Sequence, residues 1–160
     1  MIWDELTITD IIVNPPGNIE DVIMELARVH NVPQYNIAFD SDGVGKFLEK
    51  RLRNARPIVN NARALKDENY KNLKTQLYFK LAELVNSNSV KCAVDTNKQE
   101  IIEELQVVRH KPTDVVGKLS MVDKGEVKKI LGRSPDFSDT MAYRMVFEYK
   151  NTNMRTFKII

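Results

Sequence analysis

Asp40-Ser41-Asp42-Gly43-Val44-Gly45 follows directly on the apolar run Tyr35–Phe39, and this junction decides how the chain reads. A short apolar run with no polar alternation beyond Asn36 predicts a strand buried on both faces, as in a sheet covered by helices. Upstream, residues 6–13 (Leu-Thr-Ile-Thr-Asp-Ile-Ile-Val) are rich in β-branched types and predict another strand. Asn14-Pro15-Pro16-Gly17 must break it, because two prolines and a glycine cannot continue a ladder. Asn18 is placed to cap a helix whose apolar stripe, Ile19, Val22, Ile23 and Leu26, follows the 3.6-residue period. His30-Asn31-Val32-Pro33 ends that helix. Strand, helix, strand in this order is a crossover unit, and the fold class is α/β.

Downstream, a helix after Asp40 would carry Val44, Phe47, Leu48 and Leu52 on one face. Pro57-Ile58-Val59 is a candidate short strand and residues 60–66 a polar loop. Residues 67–87 form the longest helical pattern, with Leu73, Leu77, Leu81 and then Leu84 or Val85 spaced by three or four. Ser89–Val94 predicts a strand. Lys98–Leu105 predicts a helix with Ile101, Ile102 and Leu105 inward. Residues 107–109 and 115–122 read as extended, with a loop at 110–114. Helices are expected at Gly125–Leu131 and Pro135–Phe147. Residues 1–150 are expected to form one domain, with 151–160 a tail of no clear register.

The totals narrow the function classes. A chain of 160 residues is enough for one domain with a real core. Apolar residues at 42% and charged residues at 29% exclude a disordered chain, and a net charge of +2 excludes a polybasic binder. Nucleic-acid contact would need local clustering of cations. The one cysteine, Cys92, excludes a disulfide framework and a cysteine zinc site, and fits a reducing compartment. No apolar stretch approaches the roughly 20 residues of a membrane span.

Two acidic turns carry the chemistry. Asp40 stands at the C-terminal end of a buried strand, facing the crevice where open α/β sheets bind ligands. It could equally cap the following helix. Gly43-Val44-Gly45-Lys46 is not a phosphate loop, since Phe47 stands where Ser or Thr is required and Asp40 where the first Gly belongs. The second turn is Ser134-Pro135-Asp136-Phe137-Ser138-Asp139. Ser134 suits the N-cap and Pro135 the first helical position. Asp136 then lies in the first turn, where the helix dipole favours an anion, with Asp139 three residues on along the same face. Lys118, Lys124, Lys128, Lys129 and Arg133 lead into this turn. Cations beside a carboxylate pair suit a phosphodiester, the cations holding the backbone and the carboxylates a metal. Lys128 and Lys129 also read as a solvated helix face. His30 and His110 have no partner at metal-ligand spacing.

These turns, in this order, resemble the nuclease domain of the large terminase subunit of tailed phages, an RNase H-like fold. The family's features are a strand ending in Asp-x-x-Gly-Val-Gly, a long helix (here Tyr70 to Val85), and a late Lys-rich segment. Here that late segment runs from Val122 to Asp139 and includes Gly132-Arg133-Ser134-Pro135-Asp136. The resemblance spans residues 6 to 148 and implies an RNase H-like mixed sheet flanked by helices. It implies a metal-dependent endonuclease that cuts concatemeric viral DNA, with two Mg²⁺ or Mn²⁺ ions held by an acidic cluster. By motif, Asp40 and Asp136 correspond to catalytic metal-binding acids. Asp139 is an auxiliary ligand or orienting group, and Asp42 a further auxiliary acid. Lys118, Lys124, Lys128, Lys129 and Arg133 would face the DNA. Implied partners are double-stranded DNA, the terminase ATPase domain, the small subunit and the portal, in the host cytoplasm and with no membrane.

One departure weighs on the enzymatic reading. The family's first catalytic Asp, on the opening strand of its sheet, precedes the region that aligns with residue 6, and no Walker A sequence occurs. The chain reads as the C-terminal part of a terminase, with a sheet lacking its opening strand and weak or no cleavage alone. The alternative is a non-catalytic DNA-binding or motor-assembly module on the same scaffold.

Overall fold

β1 (Ile2–Asp4) and β2 (Thr7–Asp10) form an antiparallel hairpin. This computed structural model describes residues 1–112 and 117–149, with backbone alone at 43–45. The β-branched run at 6–13 therefore supplies a shorter strand than its composition suggests. Its partner β1, too short to show a pattern of its own, was not expected. β2 also pairs in parallel with β5 (Lys91–Cys92), giving a sheet ordered β1-β2-β5.

Asn18 caps α1 (Ile19–Val29) as expected, its side chain accepting from the Glu20 and Asp21 amides, and His30 closes the helix. The amphipathic stripe forms, yet no residue of α1 is buried and Ile19 is 41% exposed. Beyond it, the apolar run at 35–39 is only partly a strand. Gln34–Asn36 is a 3₁₀ turn that leaves Tyr35 63% exposed. β3 is Ala38–Asp40, with Phe39 alone buried. β3 pairs in parallel with β4 (Arg56–Ile58).

Between them, Gly43–Lys50 is a 3₁₀ helix where an α-helix was expected. Two glycines in its first turn weaken an α-helix by about 1 kcal/mol each. Leu48 and Leu52 still turn inward, joining Phe39 and Ala55 in a small second core, while Phe47 is exposed.

α2 is Leu73–Asn86, and its start is delayed relative to the pattern at 67–87. A 3₁₀ turn at Leu65–Asp67 with positive φ at Lys66 and Asp67 intervenes, and Asn72 provides the cap by accepting from the Thr75 amide. Tyr70 lies outside the helix and bridges Leu119. Leu73, Leu77 and Leu81 are buried with Ile8, Ile101 and Met141 in the main core.

α3 (Lys98–Val107) buries Ile101 and Glu104, whereas Ile102, expected inward, is exposed. β6 (His110–Lys111) and β7 (Ser120–Met121) form a small hairpin-like pair. Part of the loop and extended stretch expected between them, at 113–116, lies outside the described residues, as does the tail from Lys150. α4 (Lys124–Leu131) stops at Gly132, whose φ of 71° is the left-handed C-terminal conformation that glycine adopts without strain. α5 (Asp136–Arg144) passes into a 3₁₀ segment, Met145–Tyr149. Pro135, not Ser134, takes the cap position of α5, and no side chain bonds there.

α5 packs against α2, α3 and β3. Among the described residues, the sheet β1-β2-β5 and the sheet β3-β4 are not hydrogen-bonded to each other. A cleft of about 1000 Å³ lies between them, lined by β1, β3, α1 and α5. No helix among the described residues is long and apolar enough to cross a membrane.

Candidate functional site

Asp40 closes β3, and its carboxylate turns back on its own loop. Oδ1 accepts the Asp42 amide at 2.8 Å, an Asx turn, so Asp40 does not cap the helix that follows. Asp42 occupies the cap position without a capping bond, and its Oδ2 accepts the Asn60 amide at 2.9 Å. Tyr143, on α5, brings its hydroxyl to 2.9 Å from Asp40 Oδ2 and 3.0 Å from Asn60 Oδ1. A phenol has one proton, so it donates to one of these oxygens at a time. Burial, and then the charges of Asp139 and Asp40, push the Tyr143 hydroxyl well above its ordinary pKa, and it stays a neutral donor.

Asp139 sits one turn earlier on α5 and is buried. Lys74 Nζ, from α2, lies 2.6 Å from Oδ1 and 2.7 Å from Oδ2, with the two side chains 14% and 8% exposed. Tyr78 donates to Asp139 Oδ1 at 2.5 Å and contacts Ser138 Oγ at 3.0 Å. Burial and the Asp139 charge raise the Tyr78 hydroxyl far above the usual tyrosine range. Every polar atom of this network has a partner, which a buried charge requires.

A second buried acid sets where α5 begins. Glu104, fully buried on α3, accepts the Ser138 amide at 2.6 Å and forms an ion pair with Arg133. The guanidinium of Arg133 also lies 6.0 Å from the centre of the Phe137 ring.

Asp136 is exposed in the first turn of α5, at a second depression shared with Asn14, Glu100 and Arg133. The two acids of the late motif thus part company: Asp139 faces α2 and Asp136 faces solvent. Asp40 meets α5 at Tyr143, seven residues past Asp136. That is about 10 Å of helix, part of which the Tyr143 side chain spans by leaning toward the N-terminus. Among the described residues, no three His, Cys, Asp or Glu side chains lie close enough together to hold a metal ion. The oxygen donors gathered at one point are those of Asp40, Asp42 and Asn60. They have the hard-ligand chemistry that Mg²⁺ and Mn²⁺ prefer, but two carboxylates are fewer than an intact acidic cluster.

Lys124, Lys128 and Lys129 are exposed along α4, and Lys118 is exposed ahead of β7. At the start of α4, Lys111 pairs with Asp123 at 2.8 Å and Glu126 at 3.4 Å. Arg133, expected to face DNA, has its guanidinium committed in part to Glu104.

Sequence reasoning missed Lys74, Tyr78, Asn60, Glu104 and Tyr143. Lys74 and Tyr78 had one visible signal: a cation and a phenol four residues apart within the Leu73–Leu81 core stripe. Asn60, Glu104 and Tyr143 had none, because their partners are distant in the chain.

No family profile matches the chain, and no curated protein matches it in sequence. Solved structures do. A variant nuclease domain of the large terminase subunit gp2 of bacterial virus Sf6, with manganese, superposes with a TM-score of 0.66 at 18% identity, covering 79% of this chain and 71% of that one. A variant form with calcium gives 0.65 at 19% identity, over 79% and 70%. The nuclease domain of that same subunit gives 0.65 at 18%, over 79% and 70%. The chain is similar to these domains throughout most of its length, and its mixed α/β architecture is RNase H-like.

Proposed function

Because its fold is that of a phage terminase nuclease domain, we propose that this chain is the scaffold of a metal-dependent endonuclease that cuts concatemeric viral DNA during packaging. The observation that carries the reading is Asp40: an acid closing a strand of this fold, held toward α5 by the Tyr143 hydroxyl, with the Asn60 side-chain amide 3.5 Å from its oxygens. A divalent ion, when bound, supplies Lewis acidity toward the phosphodiester and its attacking water. Asp40 and Asp136 are its ligands in this proposal, with Asp42 as an auxiliary oxygen donor. Asp139 acts as an orienting group, since Lys74 and Tyr78 already occupy its carboxylate. Lys118, Lys124, Lys128 and Lys129 hold the DNA backbone, and Arg133 fixes the approach to α5. The reaction takes place in the host cytoplasm, with the motor and portal as partners.

Among the described residues the donor set fits the ion in kind but falls short in number, so in this proposal cleavage by this chain alone is weak or absent. The same shortage favours a second reading, a DNA-binding or motor-assembly module that no longer cuts. Mn²⁺ titration followed by nuclear magnetic resonance tests the first reading. The amides of Ser41, Asp42, Phe137 and Ser138 should broaden, and Asp40→Ala should abolish the effect at all four. Unchanged signals at millimolar Mn²⁺ would overturn the metal assignment. Salt-dependent DNA binding would then leave the second reading standing.

A further inference from the structure

Two oxygens compete for one proton where α5 meets the end of β3. The Tyr143 hydroxyl is 2.9 Å from Asp40 Oδ2 and 3.0 Å from Asn60 Oδ1, so distance favours neither acceptor. The phenol is 7% exposed, and a buried hydroxyl that loses its acceptor destabilises the fold. With two acceptors at equal range, turning the O–H about its bond to the ring exchanges one partner for the other and never leaves the hydroxyl unpaired.

The two acceptors are not held alike. Asn60 is pinned through its main chain. Its N–H donates to Asp42 Oδ2 at 2.9 Å, and its C=O accepts the Lys74 amide, in the first turn of α2, at 3.2 Å. Its Nδ2 stands 3.5 Å from both Asp40 oxygens, which turns Oδ1 toward the phenol. Asp40 is the member with chemistry of its own, a carboxylate whose Oδ1 accepts the Asp42 amide at 2.8 Å. A charged carboxylate is a stronger acceptor than a neutral amide oxygen, so in the ligand-free molecule the phenol favours Asp40. A cation at Asp40 reverses that preference, because its charge repels the hydrogen of an O–H aimed at the same oxygen.

We infer that Asn60 is the reserve acceptor for Tyr143, and that the two are positioning residues for Asp40. The phenol holds the carboxylate until a divalent cation arrives, then turns to Asn60 and releases it. The step is a rotation: no proton leaves the phenol and no covalent bond changes. Asn60 serves the ion through Tyr143 and is not itself a ligand. The part played by the cation rests on the nuclease reading, whereas the exchange of acceptors does not.

One measurement uses no metal. Asp40→Ala and Asn60→Leu are made singly and together, and the folding equilibrium constant is read from urea titration. Each single variant leaves the phenol one of its acceptors, and the double leaves it neither. The double should lose about tenfold more than the product of the two single losses. That excess should vanish when Tyr143→Phe is added throughout. No excess, or an excess that survives Tyr143→Phe, overturns the proposal. Asn60→Ala, which removes the same oxygen with less bulk, serves if the leucine variant does not fold.

The second measurement is the Mn²⁺ dissociation constant. Asn60→Leu should weaken binding by about tenfold, because the phenol then stays on Asp40. Adding Tyr143→Phe should restore binding at least to the wild-type level, since nothing then competes for the carboxylate. A combined variant as weak as Asn60→Leu alone would make Asn60 a ligand or a prop of the loop, and the release of Asp40 by Tyr143 would be wrong. If the wild-type chain binds no Mn²⁺ while the folding excess is present, the nuclease reading fails and the reserve acceptor stands.

Discussion

Lys74 grips both oxygens of Asp139, at 2.6 and 2.7 Å, across 65 residues of chain. The contact is almost sealed from water and ties the first turn of the core helix α2 to α5. Removing one member of such a pair strands the other charge, at a cost of about 3–5 kcal/mol. Lys74→Ala is therefore expected to lower unfolding stability by that amount in urea titration. A loss under 1 kcal/mol would mean that water reaches Asp139 and the pair contributes little.

Tyr78 and Tyr143 give the alkaline limit of stability. Their folded-state pKa values are raised, chiefly by burial, so the native state holds protons that the unfolded state releases. Their contribution is complete below the unfolded value near ~10 and falls as pH rises beyond it. For Tyr78 the expected slope is about 1.4 kcal/mol per pH unit. Tyrosinate absorbance should appear together with loss of helical circular dichroism. Tyr78→Phe should flatten the slope; if the wild-type protein ionises both phenols while still folded, the burial argument fails.

Glu104 should matter more to the start of α5 than its place in a polar helix suggests. Glu104→Ala leaves the buried Ser138 amide without its acceptor and removes the buried carboxylate that pairs with Arg133, which keeps the Ser134 and Glu100 carbonyls. The expected cost is about 3 kcal/mol or more. Amide exchange at Ser138 should accelerate. Ala substitution at the neighbouring, exposed Glu103 should change stability by under about 0.5 kcal/mol.

On the exposed face of α4, Lys124, Lys128 and Lys129 are expected to contact phosphates without reading bases. Changing all three to Ala should weaken binding to any duplex sequence alike. Each lost contact should reduce the salt slope of log K by about 1. A sequence-selective loss, or an unchanged slope, would place DNA elsewhere.

Much of the fold was legible because its signals are local. Asn18 and its apolar stripe, the Leu73–Leu81 repeat and the strand at Lys91–Cys92 all follow from neighbours in the chain. The errors arose at one local turn and where tertiary contacts outweigh propensity. Tyr35 is apolar enough for a strand, but the fixed φ of Pro33 opens a 3₁₀ turn that turns it outward. Asp139 was readable as an acid near Asp136; that α2 would send Lys74 to it was not. Asp40 was identified from its turn, while Tyr143, which aims it, carries no mark of that role in its own surroundings.

The uneven sharing of apolar contacts has a mechanical consequence. Phe39, Leu48, Leu52 and Ala55 form a cluster apart from the one that holds Ile8, Leu77 and Met141. With no backbone ladder among the described residues spanning the two, denaturation need not be all-or-none. Trp3, which packs against the larger cluster, should report one midpoint by fluorescence, while exchange at Phe39 and Leu52 reports an earlier one. Heat or urea would then loosen the small cluster around Leu48 and Leu52 first, while Asp40 keeps its tie to the main core through Tyr143 and through Ile58 on the neighbouring strand.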